Sequence, residues 1–194
     1  MVVPRLLIIA GTSGVGKSTM SAKLASKLSF SKVASTDTVR EVLRTQLTPS
    51  DRPSLHRSSF ESAGGTAIED WTEAVEAVSD GIEAVIERAL EKRSDLLLEG
   101  VHYFPNSEVI DRWRDSGGIA TGVVLYVVSE NMHRGMIANR EKHNGKKIEH
   151  YLENLNRIRE IQEHLVVCGS ESEWVLVDPS READAEGIIA NSLS

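Results

Sequence analysis

Short uninterrupted apolar runs alternate along the chain with longer stretches in which apolar positions recur every three or four residues. Leu6 to Ala10 is such a run, suited to a strand buried on both faces. Lys17 to Leu28 follows with Met20, Leu24 and Leu28 on one face, a helical period. Lys32 to Asp37 reads as a second strand, and Thr38-Val39-Arg40-Glu41 as a capping box that opens a helix from Val39 to Leu47. Between Ala67 and Arg93 the apolar residues Ile68, Trp71, Val75, Val78, Ile82, Ile86 and Ala89 mark a long amphipathic helix whose other, acidic face reads as solvated surface. Asp95 to Gly100, Gly122 to Ser129 and Trp174 to Asp178 complete the strands. Shorter helices are predicted around Glu108 to Arg114, Glu130 to Glu141, Glu149 to Val167 and Asp184 to Ser192. Residues 48 to 66, with Pro49, Pro53, Gly64 and Gly65, form a loop long enough to be functional or mobile. This β–α–β spacing predicts an α/β fold of three layers: a five-stranded parallel sheet, helices on both faces, and ligands beyond the carboxyl ends of the strands.

The first turn of that fold carries chemistry. Between the first strand and the first helix lies Gly11-Thr12-Ser13-Gly14-Val15-Gly16-Lys17-Ser18, followed by Thr19, in the pattern G-x-x-x-x-G-K-[ST]. Its glycines let the backbone curl so that successive N–H groups point inward, and the helix that follows presents its positive end to phosphates. The stretch from Gly11 to Thr19 is therefore expected to hold a nucleoside triphosphate, taken as ATP, within a P-loop NTPase fold. Lys17 can reach the β- and γ-phosphates, and the Ser18 hydroxyl can ligate Mg²⁺.

Two acids end strands on the same rim. Glu99 closes a buried leucine run, where an unpaired carboxylate is costly; it is either a Walker-B-like group that holds Mg²⁺ through water or orients Lys17, or a structural ion pair. Asp37 is expected to accept a proton or hydrogen bond from an acceptor hydroxyl, the alternative being a helix cap. Arg40, one turn on, reaches either the same pocket or a neighbouring surface acid.

Composition narrows the classes. A hydrophobic fraction of 40% with 26% charged residues is ordinary for a soluble globular protein, and a net charge of -7 argues against a general nucleic-acid binder. The lone Cys168 permits no internal disulfide. No segment approaches membrane-spanning length and the first apolar run is too short for a signal peptide, so a cytoplasmic setting is expected. Against the acidic background, Arg134 to Arg159 carries seven basic residues and three acids, a net +4 that suits an anion. Arg134 and Arg140 are expected on a small helical lid at about 134–149, closing over the transferring phosphoryl group unless they are simply helix-surface charges.

Several segments together resemble the 2-phosphoglycerate kinase family: the phosphate loop, Ser-Thr-Asp-Thr-Val-Arg-Glu-Val-Leu-Arg at 35–44, Leu-His-Arg-Ser-Ser-Phe at 55–60, Leu-Glu-Gly-Val-His at 98–102 and Tyr-Leu-Glu-Asn-Leu-Asn-Arg-Ile-Arg at 151–159. The resemblance implies one P-loop kinase domain over 1–194, of the nucleoside-monophosphate-kinase type, using MgATP to phosphorylate the hydroxyl of 2-phosphoglycerate to 2,3-bisphosphoglycerate. It departs from the family in one respect, since members carry an N-terminal regulatory nucleotide-binding domain and here the first strand starts at Leu6. A phosphorylated hydroxy acid needs several cations, and Arg40, Arg157 and Arg159 are the candidates; Arg157 and Arg159, two apart, point to different sides of a helix. Kinases of other small acceptors share such a core: sugar acids, shikimate-like hydroxy acids, or nucleotide sugars as in zeta toxins. A nucleotide-controlled binding protein is the alternative outside enzymes.

Overall fold

The computed structural model describes residues 3–144 and 148–193, the side chains of 140–144 excepted. Five strands, β1 (Arg5–Ala10), β2 (Val33–Ser35), β3 (Leu96–Gly100), β4 (Ile119–Leu125) and β5 (Val175–Val177), form one parallel sheet in the order β2-β3-β1-β4-β5. The helices are α1 (Lys17–Leu28), α2 (Thr36–Arg44), α3 (Ala67–Glu91), α4 (Glu108–Asp115), α5 (Glu130–Asn144), α6 (Ile148–Glu153), α7 (Leu155–Glu171) and α8 (Ala185–Asn191). Alternate residues of the central strand serve opposite layers, as strand geometry requires. Leu6, Ile8 and Ala10 pack with α3, α4 and α7, while Leu7 and Ile9 pack with α1 and α8. That double burial is why the strands read as unbroken apolar runs. Among the described residues no helix is long and apolar enough to cross a membrane.

The boundaries differ from the sequence reading at three places that bear on the site. The second strand stops at Ser35, and Ser35 rather than Thr38 caps α2, its hydroxyl accepting the Asp37 backbone N–H at 3.2 Å. The helix thus starts three residues early, and Glu41 pairs with Arg44 instead of closing a capping box. Strand β4 lies earlier than expected, because residues past Tyr126 are taken up by side chains: Gln162 Oε1 accepts the Val127 N–H and Asp178 Oδ2 the Val128 N–H, both at 2.9 Å. The single helix expected over 149–167 is broken at Asn154 into α6 and α7.

The loop 48–66 is pinned rather than loose. A 3-10 turn at Pro53–His56 places the Leu55 carbonyl to accept from Arg40 Nε at 2.8 Å, and His56 Nε2 bonds the Leu47 carbonyl at 2.8 Å. From α7, Arg157 donates to the carbonyls of Phe60, Gly65 and Thr66 and to buried Asp70. Burial raises the Asp70 pKa, but the Ala63 N–H and the Arg157 guanidinium outweigh it and hold the carboxyl below its usual value.

Candidate active site

The phosphate loop joins β1 to α1 on the carboxyl rim of the sheet. Gly14 and Gly16 have φ of +85° and +91°, left-handed values that L side chains rarely adopt. Gly16 is the N-cap of α1, with no side chain bonded to the helix's first amides and no acid in its first turn. Those N–H groups and the helix dipole are thereby left to an anion. Lys17 Nζ donates to the Thr12 carbonyl at 2.8 Å, which folds the ammonium back across the loop. Ser18 Oγ donates to Glu99 Oε1 at 3.3 Å, and Glu99 is 9% exposed. Parallel pairing sets this up, because Glu99 of β3 lies opposite Ile9 of β1 and opposite Ser35 of β2.

Beyond Glu99 the β3 exit reaches the second half of the site. A polar cavity of about 100 Å³ is lined by Ser13, Lys17, Ser18 and Glu99 on the loop side and by Asp37, Arg40, Ser58, Ser59, His102 and Tyr151 opposite. Among the described residues, the cations lining it are Lys17 and Arg40. Asp37 sits in the first turn of α2, largely exposed, with Oδ1 3.3 Å from Nδ1 of the buried His102. Burial is the main force that pushes the His102 pKa down to about 4; Asp37 opposes it, and Arg40 and Lys17 reinforce it. The ring is neutral at physiological pH.

The other expected site residues go elsewhere. Arg157 uses its nitrogens on the 58–66 loop and Asp70, so it shapes the cavity wall without lining it. Arg159 does point to a different side, as its spacing required, but to the Val127 and Val128 carbonyls at 3.2 and 3.1 Å in the turn leading to α5. Arg134 pairs with Glu130 at 3.1 Å on the exposed face of α5. The Arg140 side chain and residues 145–147 of the expected lid lie outside the described residues.

What α5 brings to the loop is His133, whose Nε2 donates to the Ser13 carbonyl at 2.7 Å, with Ile137 against Gly14. Burial lowers the His133 pKa more than that bond raises it. His133, Ser58, Ser59 and Tyr151 were not singled out as site residues from the sequence. The 55–60 and 151–159 segments carried the last three as signatures without a role.

A glycine-rich loop between the first strand and helix of a 2-3-1-4-5 parallel sheet, with a strand-end carboxylate at its Lys-Ser pair, defines a P-loop NTPase-type protein. The chain belongs to the family described as AAA domain, which matches residues 6–165. It is 31% identical over 172 residues to the 2-phosphoglycerate kinase of Pyrococcus furiosus, covering 84% of this chain and 55% of that one. It is 33% identical over 147 residues to the enzyme of the same name from Methanothermobacter thermautotrophicus, covering 71% and 47%. The chain thus spans about half the length of the curated relatives it matches. Among solved structures it is similar to a putative kinase from Chloroflexus aurantiacus, with a TM-score of 0.56 at 16% identity over 98% of this chain and 94% of that one. Shikimate kinase from Acinetobacter baumannii gives 0.53 at 14% over 98% and 90%. These structures support the fold.

Proposed function

We propose that the protein is an ATP-dependent kinase acting on the hydroxyl of a small phosphorylated hydroxy acid, 2-phosphoglycerate, to give 2,3-bisphosphoglycerate. The observation that carries this reading is the continuity of one cavity, with Lys17, Ser18 and Glu99 on its phosphate side and Asp37 and Arg40 on its far side. The acceptor follows the name that the Pyrococcus and Methanothermobacter relatives bear. We assign the nucleoside to a hollow of about 340 Å³ beside Gly16 and Thr19, walled by Met20, Met136 and Pro179.

Phosphoryl transfer asks a protein mainly for positioning and charge neutralisation. The loop amides and Lys17 hold the β- and γ-phosphates. Ser18 and Glu99, both hard oxygen donors brought together at the loop, suit Mg²⁺ and would hold it. When bound, that ion neutralises charge on the phosphates. Arg40 holds an anionic group of the acceptor, and Asp37 accepts the proton of the attacking hydroxyl as its oxygen bonds the γ-phosphorus and the bond to the ADP oxygen breaks. The lid role of Arg134 and Arg140 belongs to the proposal in one form: closing α5 exchanges the Glu130 partner of Arg134 for the transferring group. The reaction is assigned to the cytoplasm.

ADP release measured with 2-phosphoglycerate, 3-phosphoglycerate, glycerate, shikimate and gluconate tests this directly. The reading expects turnover to depend on acceptor and to be fastest with 2-phosphoglycerate. A preference for an unphosphorylated acid would move the acceptor, and acceptor-independent hydrolysis would overturn the kinase.

A further inference from the structure

We propose that His102 is a positioning residue, its Nδ1–H donated to the Asp37 carboxylate so that Asp37 is held facing the acceptor hydroxyl. This rests on the role given to Asp37 above. Asp37 on its own is poorly constrained, with a side chain 64% exposed in the first turn of α2. An exposed aspartate samples several rotamers, and catalysis by proton acceptance needs one of them. The His102 ring is the rigid partner, at 1% exposure, with Nδ1 hydrogen-bonded to Thr36 Oγ1 at 3.2 Å and within ion-pair distance, 3.3 Å, of Asp37 Oδ1.

The tautomer follows from its neighbours. A lone pair on Nδ1 would face a carboxylate oxygen and be repelled, whereas an N–H there is attracted. Nε2 is buried with no hydrogen-bond partner, so a proton there would be an orphaned donor. Both considerations place the proton on Nδ1.

The backbone that carries the ring is fixed by three contacts. The His102 backbone N–H donates to Thr36 Oγ1 at 3.4 Å, and Thr36 is fully buried. This approach exists because residue 100 is glycine, where a Cβ would fall 1.8 Å from Thr36 Oγ1. The Val101 carbonyl accepts from the buried Trp71 Nε1–H at 2.9 Å, tying the same backbone to α3. Glu99 and His102 are therefore two arms of one clamped segment, one reaching Ser18 and the other Asp37.

The experiment compares His102→Asn, His102→Gln and His102→Leu in the full chain, in wild-type and Asp37→Asn backgrounds. An asparagine amide can sit where Nδ1 sat, whereas glutamine extends its amide toward the Nε2 position. We expect H102L and H102Q to lower kcat about tenfold with the KM for ATP little changed, and H102N to recover most of the loss. In the D37N background H102L should cost nothing further, since the group it positions is gone. Equal impairment of H102N and H102Q, or losses that simply multiply with D37N, would overturn the proposal while leaving Asp37 its role. Wild-type turnover in D37N alone would remove the Asp37 reading and this one with it. Should H102L not fold, the Asn and Gln pair decides, because both are polar and differ in where the donor lies.

Discussion

The two sides of the cavity are built on different plans. The phosphate side comes from one contiguous stretch, Gly11 to Thr19, completed by a single strand-end acid, Glu99. The side proposed for the acceptor draws Asp37 and Arg40 from α2, Ser58 and Ser59 from the long loop, His102 from the β3 exit and Tyr151 from α6. A contiguous site keeps its geometry as long as the strand and helix that flank it pack. A composite site holds only while the contacts that pin its pieces last, so damage far from the chemistry should reach it.

The largest expected effect is on the contiguous side. Lys17→Ala should lower phosphoryl transfer by about 10³-fold or more, because no other group at the loop supplies that charge. The melting temperature should stay near wild type, since the ammonium's partner is a carbonyl of the loop itself. Retained turnover would sink the nucleotide assignment.

Arg157→Ala attacks the composite side without touching the cavity. It removes the donors to Phe60, Gly65 and Thr66 and takes from Asp70, 3% exposed, its hydrogen-bonded guanidinium, leaving only the more distant charge of Arg57. We expect a loss of about 2–3 kcal/mol, or about 5–10 °C in melting temperature, with the KM for the acceptor rising more than that for ATP. Equal changes in both KM values would mean that the loop is not an acceptor wall.

A smaller effect is expected at Arg134. Its exposed pair with Glu130 is worth about 0.3–0.5 kcal/mol to stability, so Arg134→Ala should leave the fold unchanged. If closure brings the guanidinium to the transferring group, kcat should drop about tenfold with ATP binding intact. Normal kinetics would leave Arg134 as a surface charge.

The smallest effect concerns pH. His102 and His133 are both shifted down by burial, so in the window from 6.5 toward 4 the unfolded chain binds protons that the native state refuses. Stability should therefore fall as pH drops through that window, by about 3–6 °C between pH 6.5 and 5 from His102 alone. The lowered pKa values of Asp70 and Asp178 cost stability only below about 4, where those carboxyls protonate. Thermal melts of H102N should show a shallower slope; an unchanged slope would assign the dependence to other groups.

The sequence by itself determined the layered parallel sheet, the phosphate loop and the delivery of Glu99 to the loop's rim. Each depends on local regularities: apolar runs that must be buried on both faces, glycines that alone permit the loop, and an acid that a strand delivers to the rim. It also brought Asp37 and Arg40 to the cavity, although the helix cap lay three residues earlier than the Thr38–Glu41 pattern indicated, because Ser35 could take the cap at the end of a short edge strand. Only the tertiary structure decided which arginines line the cavity. Arg157 and Arg159 carry the same charge as Arg40, and all three donate to backbone carbonyls, so nothing local distinguishes the guanidinium that also lines the cavity from those that do not. The choice follows from which unpaired backbone groups the fold leaves within reach: those of the 58–66 loop for Arg157 and of the β4 exit for Arg159. His102 lies on the same rim in the sequence but reads there as a satisfied structural histidine, since its partners, 66 residues away at Thr36 and 65 at Asp37, are brought to it only by folding.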